Sequence, residues 1–177
     1  KTTTTTIIAE MLRAAGKTVY IGGNIGHPLL AEAGKMKEED YAVLELSSFQ
    51  LLTMHKSPEI AVVTNLAPNH LNVHKGMEEY VEAKANILRY QSAAQKVILN
   101  YDNDLTRAFS QRAPGKTVFF SRLSPDAGDV FFADGRISVR NGDCVRPVLS
   151  ADEIAIPGVH NIENYMAAAC ATEGLAT

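Results

Sequence analysis

At 177 residues the chain is long enough for one domain with a sizeable core. Its 46% hydrophobic and 21% charged residues exclude a disordered tail, and a net charge of −3 excludes the basic face that sequence-independent nucleic-acid binding needs. No apolar run approaches the ~20 residues of a membrane span, no leader pattern is visible, and two cysteines make no disulfide framework, so a cytoplasmic protein without membrane or nucleic-acid partners is expected.

The chain opens on "KTTTTT" and passes at once into "IIAEMLRAAGK", where Ile7, Ile8, Met11, Leu12 and Ala15 share one helical face and Gly16 marks the stop. Lys1-Thr2 leading into a helix matches the last two positions of the phosphate-binding pattern G-x-x-x-x-G-K-[ST]. So short a match is equally compatible with a low-complexity stretch. "TVYIGGN" is a strand that breaks at Gly22-Gly23, and the glycines around Asn24 suit either a ligand approached by backbone or an ordinary turn.

"YAVLELSS" and "EIAVVTNL" are nearly continuous apolar runs, the pattern of parallel strands buried on both faces. Glu45 ends the first of them, where a carboxylate is well placed for Mg²⁺ or is simply an exposed strand end. Ser47, Ser48 and Gln50 add polar groups just beyond the strand, which suits a substrate-facing loop. After the second run, Asn65, Asn69, His70, Asn72 and His74 form a polar cluster, and one imidazole in an oxygen-rich Mg²⁺ site suits it better than zinc.

"GMEEYVEAKANILRYQ" is the clearest helix. Met77, Tyr80, Val81, Ile87 and Leu88 form its apolar stripe, and Lys84 falls in the middle of that stripe. Either its ammonium snorkels to water, or the amine is desolvated with a lowered pKa. A neutral amine can take up CO₂ as a carbamate, which turns a cation into a metal-binding carboxylate. The strand "KVILN", the helix "DNDLTRAFSQRA" and the strand "KTVFFSR" continue the alternation, which predicts an α/β fold with a mostly parallel, helix-flanked sheet. Over residues 128–149 the rhythm changes, and Asp134-Gly135 and Asn141-Gly142 predict a small antiparallel meander. A last helix begins near Asn161, where His160, Asn161 and Asn164 cluster; Asn161 suits an N-cap, and such amides also suit a purine edge.

Taken in order, Lys1-Thr2-Thr3 opening a helix, "GGNIG", "LELSSFQL", "NH" after a strand, the lysine of "EAKANI" and "GVHNIENY" resemble the central, ATP-binding domain of the Mur ligases of peptidoglycan synthesis. The resemblance runs over essentially the whole chain, and "ELSSFQL" is most similar to the members that add D-glutamate to UDP-N-acetylmuramoyl-L-alanine. It implies that Lys1, Thr2 and Thr3 hold ATP phosphates, with Thr2 and Glu45 on a first Mg²⁺. It implies His70 and Lys84, as its carbamate, on a second Mg²⁺, with Lys1, His70 and Lys84 serving catalysis. Asn24 and Ser48 match positions facing the nucleotide-sugar substrate, and His160, Asn161 and Asn164 match positions near the adenine. The implied reaction is amide formation through an acyl phosphate by a cytoplasmic monomer.

Two departures accompany the resemblance. Asn69 and Asn72 stand where many relatives carry aspartate, which removes carboxylate charge near the second metal. The phosphate-loop glycines, the N-terminal UDP-binding domain and the C-terminal domain have no counterpart in the 177 residues, so the piece alone is expected to be inactive as a ligase. Another ligase of this superfamily, of the folylpolyglutamate type, and a non-catalytic nucleotide-binding domain of the same fold are the alternatives.

Overall fold

The computed structural model describes residues 1–26, 28–67 and 76–175. Helix α1 (Thr2–Ala14) is followed by the parallel pair β1 (Val19–Gly23) and β2 (Tyr41–Glu45). Then come α2 (Ser48–Leu52), β3 (Ile60–Val63), α3 (Met77–Arg89), β4 (Lys96–Asn100), α4 (Asp104–Ala108) and β5 (Lys116–Ser121). Strands β6 (Val130–Ala133), β7 (Arg136–Asn141) and β8 (Cys144–Ser150) precede the last helix, α5 (Val159–Thr172). A six-stranded sheet runs β3-β4-β5-β6-β7-β8, parallel from β3 to β6 and antiparallel from β6 to β8. The expected α/β fold and its late meander are therefore both present.

The period of two in the strands splits the core into halves. Ile60, Val62, Ile98, Val118 and Phe120 face α5 and pack with Met166 and Cys170. Ala61, Val63, Val97, Leu99 and Phe119 face the other way, onto Tyr80, Ala85 and Leu88 of α3. That is why these strands read as continuous apolar runs: each alternate residue has a helix to cover it.

The run "YAVLELSS" ends sooner than its composition suggests. Ser47 accepts from the Gln50 backbone N–H at 3.3 Å while Gln50 Oε1 accepts from the Ser47 N–H at 2.9 Å. This capping box stops the strand at Glu45 and starts α2 at Ser48. In the meander, Asp134 and Gly135 both take positive φ (50° and 72°), as a two-residue hairpin turn requires. The next turn uses Gly142-Asp143, one residue later than expected, because Asn141 pairs with Cys144 as the last residue of β7.

Strands β2 and β3 are not hydrogen-bonded to one another among the described residues. A cavity of about 370 Å³ lies between them, with Ile8 and Leu12 of α1 and Ile87 of α3 also in its walls. Leu44 of β2 is consequently 47% exposed.

At the carboxyl end of β1 the backbone passes unusually close to β2. Gly23 has φ +94°, and a Cβ there would stand 2.2 Å from the Glu45 carbonyl oxygen. Only glycine allows this approach, which also lets the Asn24 N–H bond that carbonyl at 2.7 Å. Gly23→Ala is expected to destabilise the fold by about 3 kcal/mol or more, read as a lowered denaturation midpoint in urea at unchanged slope.

Candidate functional site

Glu45 closes β2 and is only 5% exposed, yet it is surrounded by donors. The Thr2 hydroxyl donates to its Oε2 at 2.7 Å, the Asn24 amide to its Oε1 at 3.2 Å, and the Lys1 ammonium stands 3.4 Å from Oε1. Burial pushes the carboxyl pKa up, but these hydrogen bonds and the Lys1 charge outweigh it and hold it below the ordinary value. The three partners come from the first residues of α1 and from the loop after β1. Asn24 meets Glu45 because β1 and β2 pair in register, Gly23 opposite Glu45.

Lys84 comes from α3 and lines the same cavity as Lys1 and Glu45. Its ammonium is 5.8 Å from the centre of the Tyr80 ring one turn earlier. Burial, then the nearby Lys1 charge, lower its pKa to about 8, with Glu45 opposing. Lys84 is half-buried and senses both charged residues at the β2 end.

The five threonines are not equivalent. Thr2 reaches Glu45, Thr4 donates to Asn164 Oδ1 at 2.8 Å, and Thr6 back-bonds to the Thr2 carbonyl at 3.1 Å. Thr4 and Thr5 are buried, Thr3 is half-buried, and Thr2 is exposed. β-Branched residues cost a helix several tenths of a kcal/mol each, about 0.6 at most. Tertiary hydrogen bonds and packing against α5 offset that cost here.

The other expected positions fall as follows. Ser48 is buried as the first residue of α2, and Asn24 is exposed with its amide turned to Glu45. Asn161 is not a cap: α5 starts two residues earlier, with Gly158 as its N-cap. Its buried amide donates to the Pro157 carbonyl at 2.8 Å and accepts from Asn164 at 3.0 Å. His160 is exposed beside it. His70, with Asn69, Asn72 and His74, lies outside the described residues. Among the described residues no group of three or more His, Cys, Asp and Glu side chains forms a metal cage.

Two residues in this region carry no sequence signal. Thr4 is hidden in a uniform run. Asn86, two residues beyond Lys84, donates to the Leu51 carbonyl at 2.9 Å and so joins α3 to the α2 that carries Ser48. Neither its type nor its spacing sets it apart from an ordinary surface asparagine.

Lys1 and Thr2 at a helix start, a buried carboxylate on a strand end and Lys84 lining the same cavity as Lys1 and that carboxylate make one constellation. Residues 1–172 match the family model of the Mur ligase middle domain. The chain belongs to the Mur ligase family. It is similar to the UDP-N-acetylmuramoylalanine–D-glutamate ligase of Acetivibrio thermocellus, 53% identical over 97% of the chain and 37% of that protein. It is also similar to the ligase of the same name from Symbiobacterium thermophilum, 51% identical over 97% of the chain and 38% of that protein. This Mur ligase middle domain thus spans well under half the length of these relatives. Its fold is shared with the MurF ligase of Thermotoga maritima in complex with ADP, at TM-score 0.68 and 23% identity over 98% of the chain and 43% of that one.

Proposed function

We propose that this chain is the ATP-binding core of a ligase that joins D-glutamate to UDP-N-acetylmuramoyl-L-alanine. The observation that carries the reading is the convergence of Lys1, Thr2 and Asn24 on buried Glu45, with Lys84 lining the same cavity. The 53% identity to a D-glutamate ligase favours that acceptor over the folylpolyglutamate type.

The residues fit a hard cation. Thr2 Oγ1 and Glu45 Oε2, 2.7 Å apart, offer the sparse oxygen pair with which Mg²⁺ is held while it keeps waters and phosphate oxygens. A second Mg²⁺ is assigned to His70 and to Lys84 as its carbamate. When bound, Mg²⁺ neutralises charge on the transferred phosphoryl group.

In this reading Lys1 and Thr3 hold phosphates at the start of α1, while His160, Asn161 and Asn164 stand at the base end. Asn24 and Ser48 line the approach of the nucleotide sugar. The terminal carboxylate of UDP-N-acetylmuramoyl-L-alanine takes the γ-phosphoryl group, leaving ADP, and the resulting acyl phosphate is attacked by the amine of D-glutamate with release of phosphate. The protein's task is to gather three anionic partners and offset their charge. We read the enzyme as cytoplasmic and monomeric; no helix among the described residues is long and apolar enough to cross a membrane.

The test is phosphate release by the full-length protein with ATP, Mg²⁺, UDP-N-acetylmuramoyl-L-alanine and one amino acid at a time. Release that requires D-glutamate and the nucleotide sugar together is expected, and none from the 177-residue chain alone. Release that instead follows a folate acceptor would overturn the assignment.

A further inference from the structure

One buried polar network has no part in the constellation around Glu45. The hydroxyl of Thr4, 3% exposed, donates to Asn164 Oδ1 at 2.8 Å. Asn164 Nδ2 donates to Asn161 Oδ1 at 3.0 Å, and Asn161 Nδ2 donates to the Pro157 carbonyl at 2.8 Å. Three bonds therefore join the first turn of α1 to the start of α5.

The direction of this relay is fixed at one end. A peptide carbonyl only accepts, so Asn161 must turn its NH₂ to Pro157 and its oxygen to Asn164. Asn164 must then offer NH₂ to Asn161 and its oxygen to Thr4. Flipping either amide would set oxygen against oxygen at a site where Asn161 is 2% exposed and water cannot compensate. The Asn164 carbonyl is thereby sealed against the Thr4 hydroxyl. One of its two N–H groups is spent on Asn161, and the other is the only polar hydrogen the side chain has left.

Resting on the ATP-site reading above, we propose that Thr4 is a positioning residue for nucleotide recognition. Through the relay it holds the Asn164 amide so that the base end offers an N–H donor, and the base taken there presents a ring-nitrogen acceptor. The same residue ties the helix whose start takes the phosphates to the helix whose start takes the base.

Binding of ATP and of inorganic tripolyphosphate, which has phosphates but no base, separates this role from simple helix gluing. Both would be titrated with Mg²⁺ into the full-length wild type, Thr4→Ser and Thr4→Val. Thr4→Val is expected to weaken ATP about tenfold while tripolyphosphate stays within about twofold, and Thr4→Ser to resemble the wild type with both ligands. Unchanged ATP binding by Thr4→Val, or equal loss of both ligands, would overturn the proposal. So would a wild type that binds ATP no more tightly than tripolyphosphate. A wild type that binds neither ligand would instead sink the nucleotide-site reading itself. Should Thr4→Val not fold, Thr4→Ala gives the same test, since alanine also lacks the hydroxyl: selective loss of ATP supports the proposal, and unchanged ATP binding overturns it.

Discussion

Lys84→Met is expected to lower kcat of the full-length ligase by about 10³-fold while leaving a folded protein. Methionine keeps the unbranched stem that packs among the stripe residues of α3 but carries no amine. In the wild type, burial and then Lys1 lower the Lys84 pKa to about 8. About a tenth of the amine is then neutral at pH 7, against one in a few thousand for a solvated lysine. Uptake of ¹³C-labelled CO₂ should therefore rise with pH through about 8, giving a carbamate resonance that Lys84→Met lacks. The linkage runs the same way for the unmodified amine. Between its native pKa and the unfolded value near 10.4, the native state has lost a proton that the unfolded state keeps, so stability rises with pH across that window. That rise should flatten in Lys84→Met, and an equal rise in the variant would show that Lys84 is not its source.

Glu45→Gln is expected to cost about 10²- to 10³-fold in kcat/KM for ATP. Glutamine preserves the shape: its one oxygen can accept from the Asn24 amide while its NH₂ donates to the Thr2 hydroxyl, so the local fold should survive. What it removes is the charge that Lys1 faces at 3.4 Å and the anionic oxygen that pairs with the Thr2 hydroxyl. A stability signature accompanies this. The Glu45 pKa is lower in the folded state, so the carboxylate stabilises the protein above its unfolded pKa, and that contribution disappears as pH falls through the depressed native value. Acid titrations of wild type and Glu45→Gln should converge at low pH and separate as pH rises.

Most strands and the long helices were legible because each follows one period, whereas α2, expected as a loop, is set by the Ser47–Gln50 capping box. "IAVV" and "KVILN" alternate between two helical layers, and α3 shows its stripe at three- and four-residue spacing. Lys84 stood out for the same reason: a charge in a stripe has to be explained, and the cavity wall explains it. The two apolar runs differ in their outcome. Both faces of β3 are packed, whereas Leu44 of β2 borders the cavity and stays half-exposed, a difference that composition cannot reveal.

The site was legible only where a residue broke a pattern. Glu45 ends an apolar run and Lys84 interrupts a stripe. Thr4 breaks nothing: five identical side chains give no hint which one meets α5 until the helix is built against it. Asn161 looked like a cap because asparagine favours caps. Gly158 takes that place, and the amide turns inward to Pro157. These are long-range facts, with Thr4 and Asn164 separated by 160 positions, beyond the reach of local propensity.

The claim that Lys1, Thr2, Glu45 and Lys84 form the metal and phosphate end of one nucleotide site meets its most direct test in calorimetry. ATP would be titrated into full-length wild type and Glu45→Gln, each with and without Mg²⁺. Mg²⁺ should strengthen binding to the wild type by about tenfold or more and have almost no effect on the variant. An equal gain from Mg²⁺ in both proteins would contradict the account.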